Sequence, residues 1–153
     1  MIESVSDLHI DDFCKDTAKI LLMLYKRFPT KTVVYVEDIA GPDEPDEFGL
    51  HSPRFEAGFS ALVWLKEQDY IAYSGAIKQE AVEDACLSHR GFILMSSIEQ
   101  HPISLDDQKP PAVDKLSSVV RRIDRLRHTL RHGSSEAIKE LILHYMILSR
   151  ELK

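Results

Sequence analysis

Two groups of residues carry side chains that could do chemistry. Ser88, His89, Arg90 and Gly91 stand together in LSHRGFILM, residues 87–95, where a hydroxyl beside an imidazole could be a nucleophile and its base, and Arg-Gly an anion cradle. Asp124, His128 and His132 recur every four residues, a spacing that puts them on one helical stripe and could supply metal ligands. Neither group holds up as a site. Adjacent residues at a helix start diverge, so Ser88 and His89 do not face each other, and the serine is better employed as an N-cap. The histidine stripe has no companion cluster to close a coordination shell, and it reads as a solvated face. No Gly-rich phosphate loop, HExxH or GxSxG pattern occurs. The expectation is a protein that is not an enzyme, with no cofactor and no metal.

The elements that must position these residues follow from periodicity. DDFCKDTAKILLMLYKRF repeats apolar residues at helical spacing and stops at Pro29. TVVYV, 32–36, suits a short strand, and VEDIAG a brief helix closed by Gly41. GPDEPDEFGLHS is an acidic, proline-containing loop, whose Phe48 or Leu50 is expected to pack back into the core. SPRFEAGFSALVWLKEQDY has Ser52 as N-cap and Pro53 at the first helical position. YIAYS and ACLS read as two strands around the tip GAIKQEAVED, whose middle could instead hold a helical turn. A short helix follows in HRGFILMSS.

Residues 98–112, with Pro102, Pro110 and Pro111, read as a linker. Two helices then finish the chain. Leu116, Val119, Ile123, Leu126 and Leu130 form one apolar seam, and Ile138, Leu141, Tyr145, Leu148 and Leu152 another, with Gly133 between them. Such a seam needs a partner: the other helix, the N-terminal part, or a second copy.

This order, with FSALVWLKEQDYI (59–71) followed by ACLSHRGFIL (85–94), resembles the winged-helix superfamily of helix-turn-helix proteins. The resemblance covers residues 11–97. It implies a winged-helix domain at 1–97 that binds double-stranded DNA. With the two C-terminal seams, the expectation is an α+β, mostly α chain whose residues 113–153 form a two-helix oligomerisation arm or coiled-coil hairpin, acting as a dimeric transcriptional regulator. The outward face of 53–68 would read the groove, through Arg54, Ser60 and Lys66, with Lys78 on the wing.

Charge complicates that expectation. The chain carries a net −6, distributed as −6 over 1–57, −4 over 58–111 and +4 over 112–153. Phosphate binding draws on basic groups, and the reading segment also bears Glu56 and Glu67. Asp43, Glu44, Asp46 and Glu47 precede it, and Glu80, Glu83 and Asp84 follow. Arg121, Arg122 and Arg125 are the basic residues expected to compensate, as a ridge on the backbone or as a match for the acidic loop. The second expectation is therefore a protein-interaction module, an antitoxin, immunity protein or assembly subunit, that meets a basic partner with its acidic surface. Two isolated cysteines, no apolar run of about 18 residues and an acidic start without an apolar h-region make the expected location cytoplasmic, with no membrane contact.

Overall fold

A computed structural model describes residues 7–99 and 119–152. The chain is α+β and mostly helical, in the order α1 (Leu8–Arg27), β1 (Thr32–Tyr35), α2 (Glu37–Ala40), α3 (Pro53–Glu67), β2 (Ile71–Ala72), β3 (Gly75–Ile77), β4 (Ala81–Leu87), α4 (His89–Ser96), α5 (Arg122–His132) and α6 (Ser135–Ser149). Helix α1 is the hub. Cys14, Asp16, Thr17, Ala18, Ile20, Leu21, Leu22 and Leu24 are all buried, which covers most of its circumference. A helix apolar on so many sides must be enclosed. α3 closes one side, and α5 and α6 another.

The C-terminal seam is filled from within the chain. Ile123, Leu126, Ile138, Leu141, Ile142 and Tyr145 join the same buried cluster as the α1 leucines. Leu116 lies outside the described residues, and Val119 precedes α5 in an exposed, non-helical stretch. The later helix start has a local cause. Glu99 N–H donates to Val120 O, and Arg122 N–H to Ser97 O, so this backbone pairs with the end of α4 as extended chain. The Asp124 carboxylate then accepts the Arg121 N–H at 3.1 Å and opens the helix.

The sheet is small and antiparallel, with β4 central. β1 pairs with β4 (Thr32↔Ala85, Val34↔Val82), as do β2 (Ile71↔Leu87) and β3 (Gly75↔Glu83, Ile77↔Ala81). The middle of the hairpin is therefore strand rather than helical turn. Its tip is a tight turn in which Glu80 N–H donates to Ile77 O, with Lys78 (φ 49) and Gln79 (φ 60) both left-handed. That is the type I′ geometry, which follows the twist of paired strands.

The LSHRGFILM junction holds three elements together. Ser88 Oγ accepts the Gly91 N–H at 3.0 Å and caps α4. Gly91 lies so close to Tyr70 that a Cβ there would sit 2.2 Å from the Tyr70 carbonyl oxygen. Arg90 donates to Gln68 O and Ser149 Oγ, and its guanidinium lies over the Tyr70 ring, 4.7 Å from the centroid. Arg90 is thus a tie between the end of α3, α4 and the end of α6.

Candidate functional site

Helix α3 and the tip of the β3–β4 hairpin face each other across a groove of about 690 Å³. Ser52 caps α3 by accepting the Phe55 N–H, and Pro53 occupies its first turn. This start points Phe55, Ala61, Leu62 and Leu65 into the core and leaves Ser60, Phe59, Val63 and Trp64 toward the groove. Trp64, the only tryptophan in the chain, is 36% exposed and braced edge-on by Phe13, with centroids 5.3 Å apart. Glu56, Glu67 and Glu80 line the groove against one ammonium, that of Lys78. The site is apolar on its floor and acidic on its walls.

The loop before α3 is fastened to the hairpin tip by His51. Its Nδ1 lies 2.9 Å from Asp43 Oδ2 and its Nε2 3.1 Å from Glu80 Oε1, while the ring stacks on Phe55 at 4.0 Å. Both ring nitrogens can donate at once only in the imidazolium form. The hydrogen bond with Asp43 leads the upward shift of the His51 pKa, seconded by the bond with Glu80. Asp43 is shifted down, chiefly by the Ser52 backbone N–H it accepts. The sequence signal for this clamp was a histidine among carboxylates, but the 29-residue separation from Glu80 hid it.

Phe48 and Leu50 do not pack into the core: they are 79% and 60% exposed. Asp46 builds a closed turn beneath them. Its Oδ1 accepts the N–H of both Phe48 and Leu50 at 2.9 Å, and the left-handed Gly49 (φ 78) completes the loop. The short Asx-type turn satisfies its own backbone, so the apolar tip needs no burial to be ordered.

The residues expected to read DNA are dispersed. Ser60 and Lys78 line the groove. Lys66 is exposed beside it, its Nζ 4.4 Å from the Tyr73 ring centroid. Arg54 turns the other way and grips Asp16 bidentately at 2.8 and 2.7 Å. Arg121 donates to Ser96 O at 2.6 Å and Arg122 to Leu94 O at 3.3 Å, so both cover carbonyls at the end of α4. Arg125 is buried, 3.6 Å from the buried Glu99 carboxylate. Glu99 also accepts the Tyr145 hydroxyl at 2.7 Å, and burial, above all, raises the phenol's pKa. These three arginines therefore join α5 to the rest of the chain.

The remaining nucleophile candidates are quiet. Burial pushes the Cys14 thiol up to about 11, and Cys86 donates weakly to Pro29 O. The His128 and His132 rings lie 4.8 Å apart and tilted by 47°, and among the described residues no three His, Cys, Asp or Glu side chains converge as a metal cage. No helix among the described residues is long and apolar enough to cross a membrane. Comparison with protein-family models, with curated proteins and with solved structures finds no match.

Proposed function

We propose that α1–α4 and the β-hairpin form a winged-helix unit that serves as a protein-interaction module, and that its groove takes a basic, amphipathic segment of another protein. One observation carries this reading: the surface between α3 and the hairpin tip combines exposed apolar side chains with Glu56, Glu67 and Glu80, against the Lys78 ammonium and the His51 ring that Glu80 binds. Apolar anchors in a concave site supply affinity, and a charged rim selects partners of opposite sign. A segment with lysine or arginine flanking leucine-like residues meets both demands.

The reading as a DNA-binding regulator has less support at this face. Duplex affinity comes largely from displacing counterions with basic groups. Of the expected contacts, Arg54 is spent on Asp16, and Arg121, Arg122 and Arg125 bind carbonyls or a carboxylate within the chain. Ser60, Lys66 and Lys78 remain, among Glu56, Glu67 and Glu80.

Trp64 provides the test. A lysine–leucine amphipathic helical peptide is titrated into the full chain while Trp64 emission is followed, with a random-sequence DNA duplex as the parallel titrant at low salt. The expected result is a saturable blue shift with the peptide, abolished in Glu56→Lys with Glu67→Lys, and no response to the duplex. Saturable binding of the duplex, weakened by Lys66→Ala and Lys78→Ala, would overturn the reading and restore the regulator. An unresponsive Trp64 in both titrations would also refute it.

A further inference from the structure

The acidic turn that borders the groove has a counterpart elsewhere on the molecule. Residues 43–50 contain four acids and no basic residue, and the closed Asp46 turn holds Phe48 out at their centre. A fixed aromatic that projects into water gains nothing for the fold, whereas a preordered apolar tip is what a docking contact needs. Asp43, bonded to His51 and to the Ser52 N–H, moors this turn on the hairpin side of the molecule.

Between α1 and α5 lies a second cavity, of about 240 Å³, with Leu22, Met23 and Leu130 among its lining. Lys26, Arg127 and Arg131 stand around it, joined by Lys19, whose Nζ donates to Ile39 O. Asp38 is the one acid in the lining. Arg127 has a partner in Asp124 at 3.3 Å, but among the described residues Lys26 and Arg131 have no ion pair. Neither do Glu44 and Glu47. The chain therefore carries an acidic plug with an aromatic tip and a basic socket with an apolar floor, and it does not join them to each other.

We infer that the 43–50 turn of one copy seats in the α1–α5 socket of a second copy, with Phe48 on Leu22, Met23 and Leu130, and Glu44, Asp46 and Glu47 against Lys26, Arg127 and Arg131. At physiological salt the screening length is about 8 Å, so the repulsion between two chains of net charge −6 is damped while the contact pairs keep their attraction. Plug and socket are different patches, so two copies can satisfy each other reciprocally, or the contact can continue to a third copy. This contact differs from a seam between 113–153 of two copies, because the seam residues Ile123, Leu126, Ile138, Leu141 and Tyr145 are buried within the chain.

The inference rests on reading the face that carries the turn as a docking surface, and the experiment separates the two. Sedimentation velocity of the full chain, over a range of concentration at low and high salt, is expected to show association that high salt weakens. Phe48→Ser changes a solvent-exposed residue, leaves the fold intact by circular dichroism, and is expected to weaken association about tenfold or more. Arg127→Glu with Arg131→Glu and Glu44→Lys with Glu47→Lys should each give a monomer, and their equimolar mixture should associate again. A chain that stays monomeric at low salt overturns the inference, as does an oligomer that survives both Phe48→Ser and the socket reversal. If that monomer still answers the lysine–leucine peptide through Trp64, self-docking alone has failed. If the chain self-associates through the turn while Trp64 ignores the peptide, the groove reading alone has failed.

Discussion

Replacing Arg54 by alanine discriminates most sharply between a reader of DNA and a structural tie. The Asp16 side chain is 1% exposed, and both its oxygens accept from the Arg54 guanidinium at 2.7 and 2.8 Å. Asp12 is a more distant second partner of the arginine, at 3.6 Å. Arg54→Ala would leave a desolvated carboxylate beside Gly58, at a point where that glycine packs closely on Ala40 and Val36. Removing one member of a buried pair costs about 3–5 kcal/mol. The guanidinium itself is one-third exposed, so water can reach part of the vacated space, and about 3 kcal/mol is the expected loss. For a chain of this length that corresponds to a melting point lower by about 6–12 °C. Asp16→Ala should cost less, because the long arginine can swing out to water while a buried aspartate cannot. Asp16→Asn combined with Arg54→Gln should recover much of the stability, since no unpaired charge is left. Calorimetry or thermal circular dichroism reads all four chains. If Arg54→Ala lowers the melting point by less than about 2 °C, as a change at a free surface arginine would, the structural assignment is refuted.

Three further outcomes follow from single features of the fold. His51 has a raised pKa in the folded chain, so its contribution to stability is full below the unfolded value near 6.5 and fades as pH rises through the higher folded one. Asp43, with its lowered pKa, contributes above its ordinary range near 3.8 and loses that as pH falls through the folded value. The stability difference between the native chain and His51→Ala, from urea unfolding, should therefore be widest at about pH 5–6 and narrow by about pH 8, and a difference flat in pH would sink the clamp. Gly91→Ala puts a Cβ onto the Tyr70 carbonyl, which must move, and should destabilise by about 2–3 kcal/mol; a loss under about 0.5 kcal/mol would show that the approach of α4 to the Tyr70 backbone is loose. Lys78→Asn with Gln79→Gly supplies the residues a type I′ turn favours and should stabilise by about 1 kcal/mol, unless the tip is not built with two left-handed residues.

Helix and strand boundaries set by local chemistry were legible. Ser52-Pro53 opens α3 and Ser88 opens α4, each through bonds within one turn. Those bonds depend on residues three or four apart, so a reader of the string sees both partners together. Where the partner was remote, the reading stopped. Phe48 and Leu50 looked like core residues because their hydrophobicity is visible and the Asp46 turn that holds them outward is not. The start of α5 moved to Arg122 because Ser97 and Glu99 claim the backbone before it.

The candidate groove divides in the same way. Its acidic sign, and the conflict of that sign with phosphate, are properties of composition, which no folding changes. Which of the basic residues stay available is a different matter. Arg54, Arg121, Arg122 and Arg125 are equal to any other arginine on paper, yet each meets an acceptor brought there from 25 to 38 residues away, as in Arg121 with Ser96 O and Arg54 with Asp16. The sequence by itself determined the order of the elements, the helix starts set by local caps and the net charge, since these rest on short-range bonds and on counting. The tertiary structure alone decided that α5 and α6 cover α1, and which charges are consumed in doing so, because an apolar seam states that it must be buried but not against what.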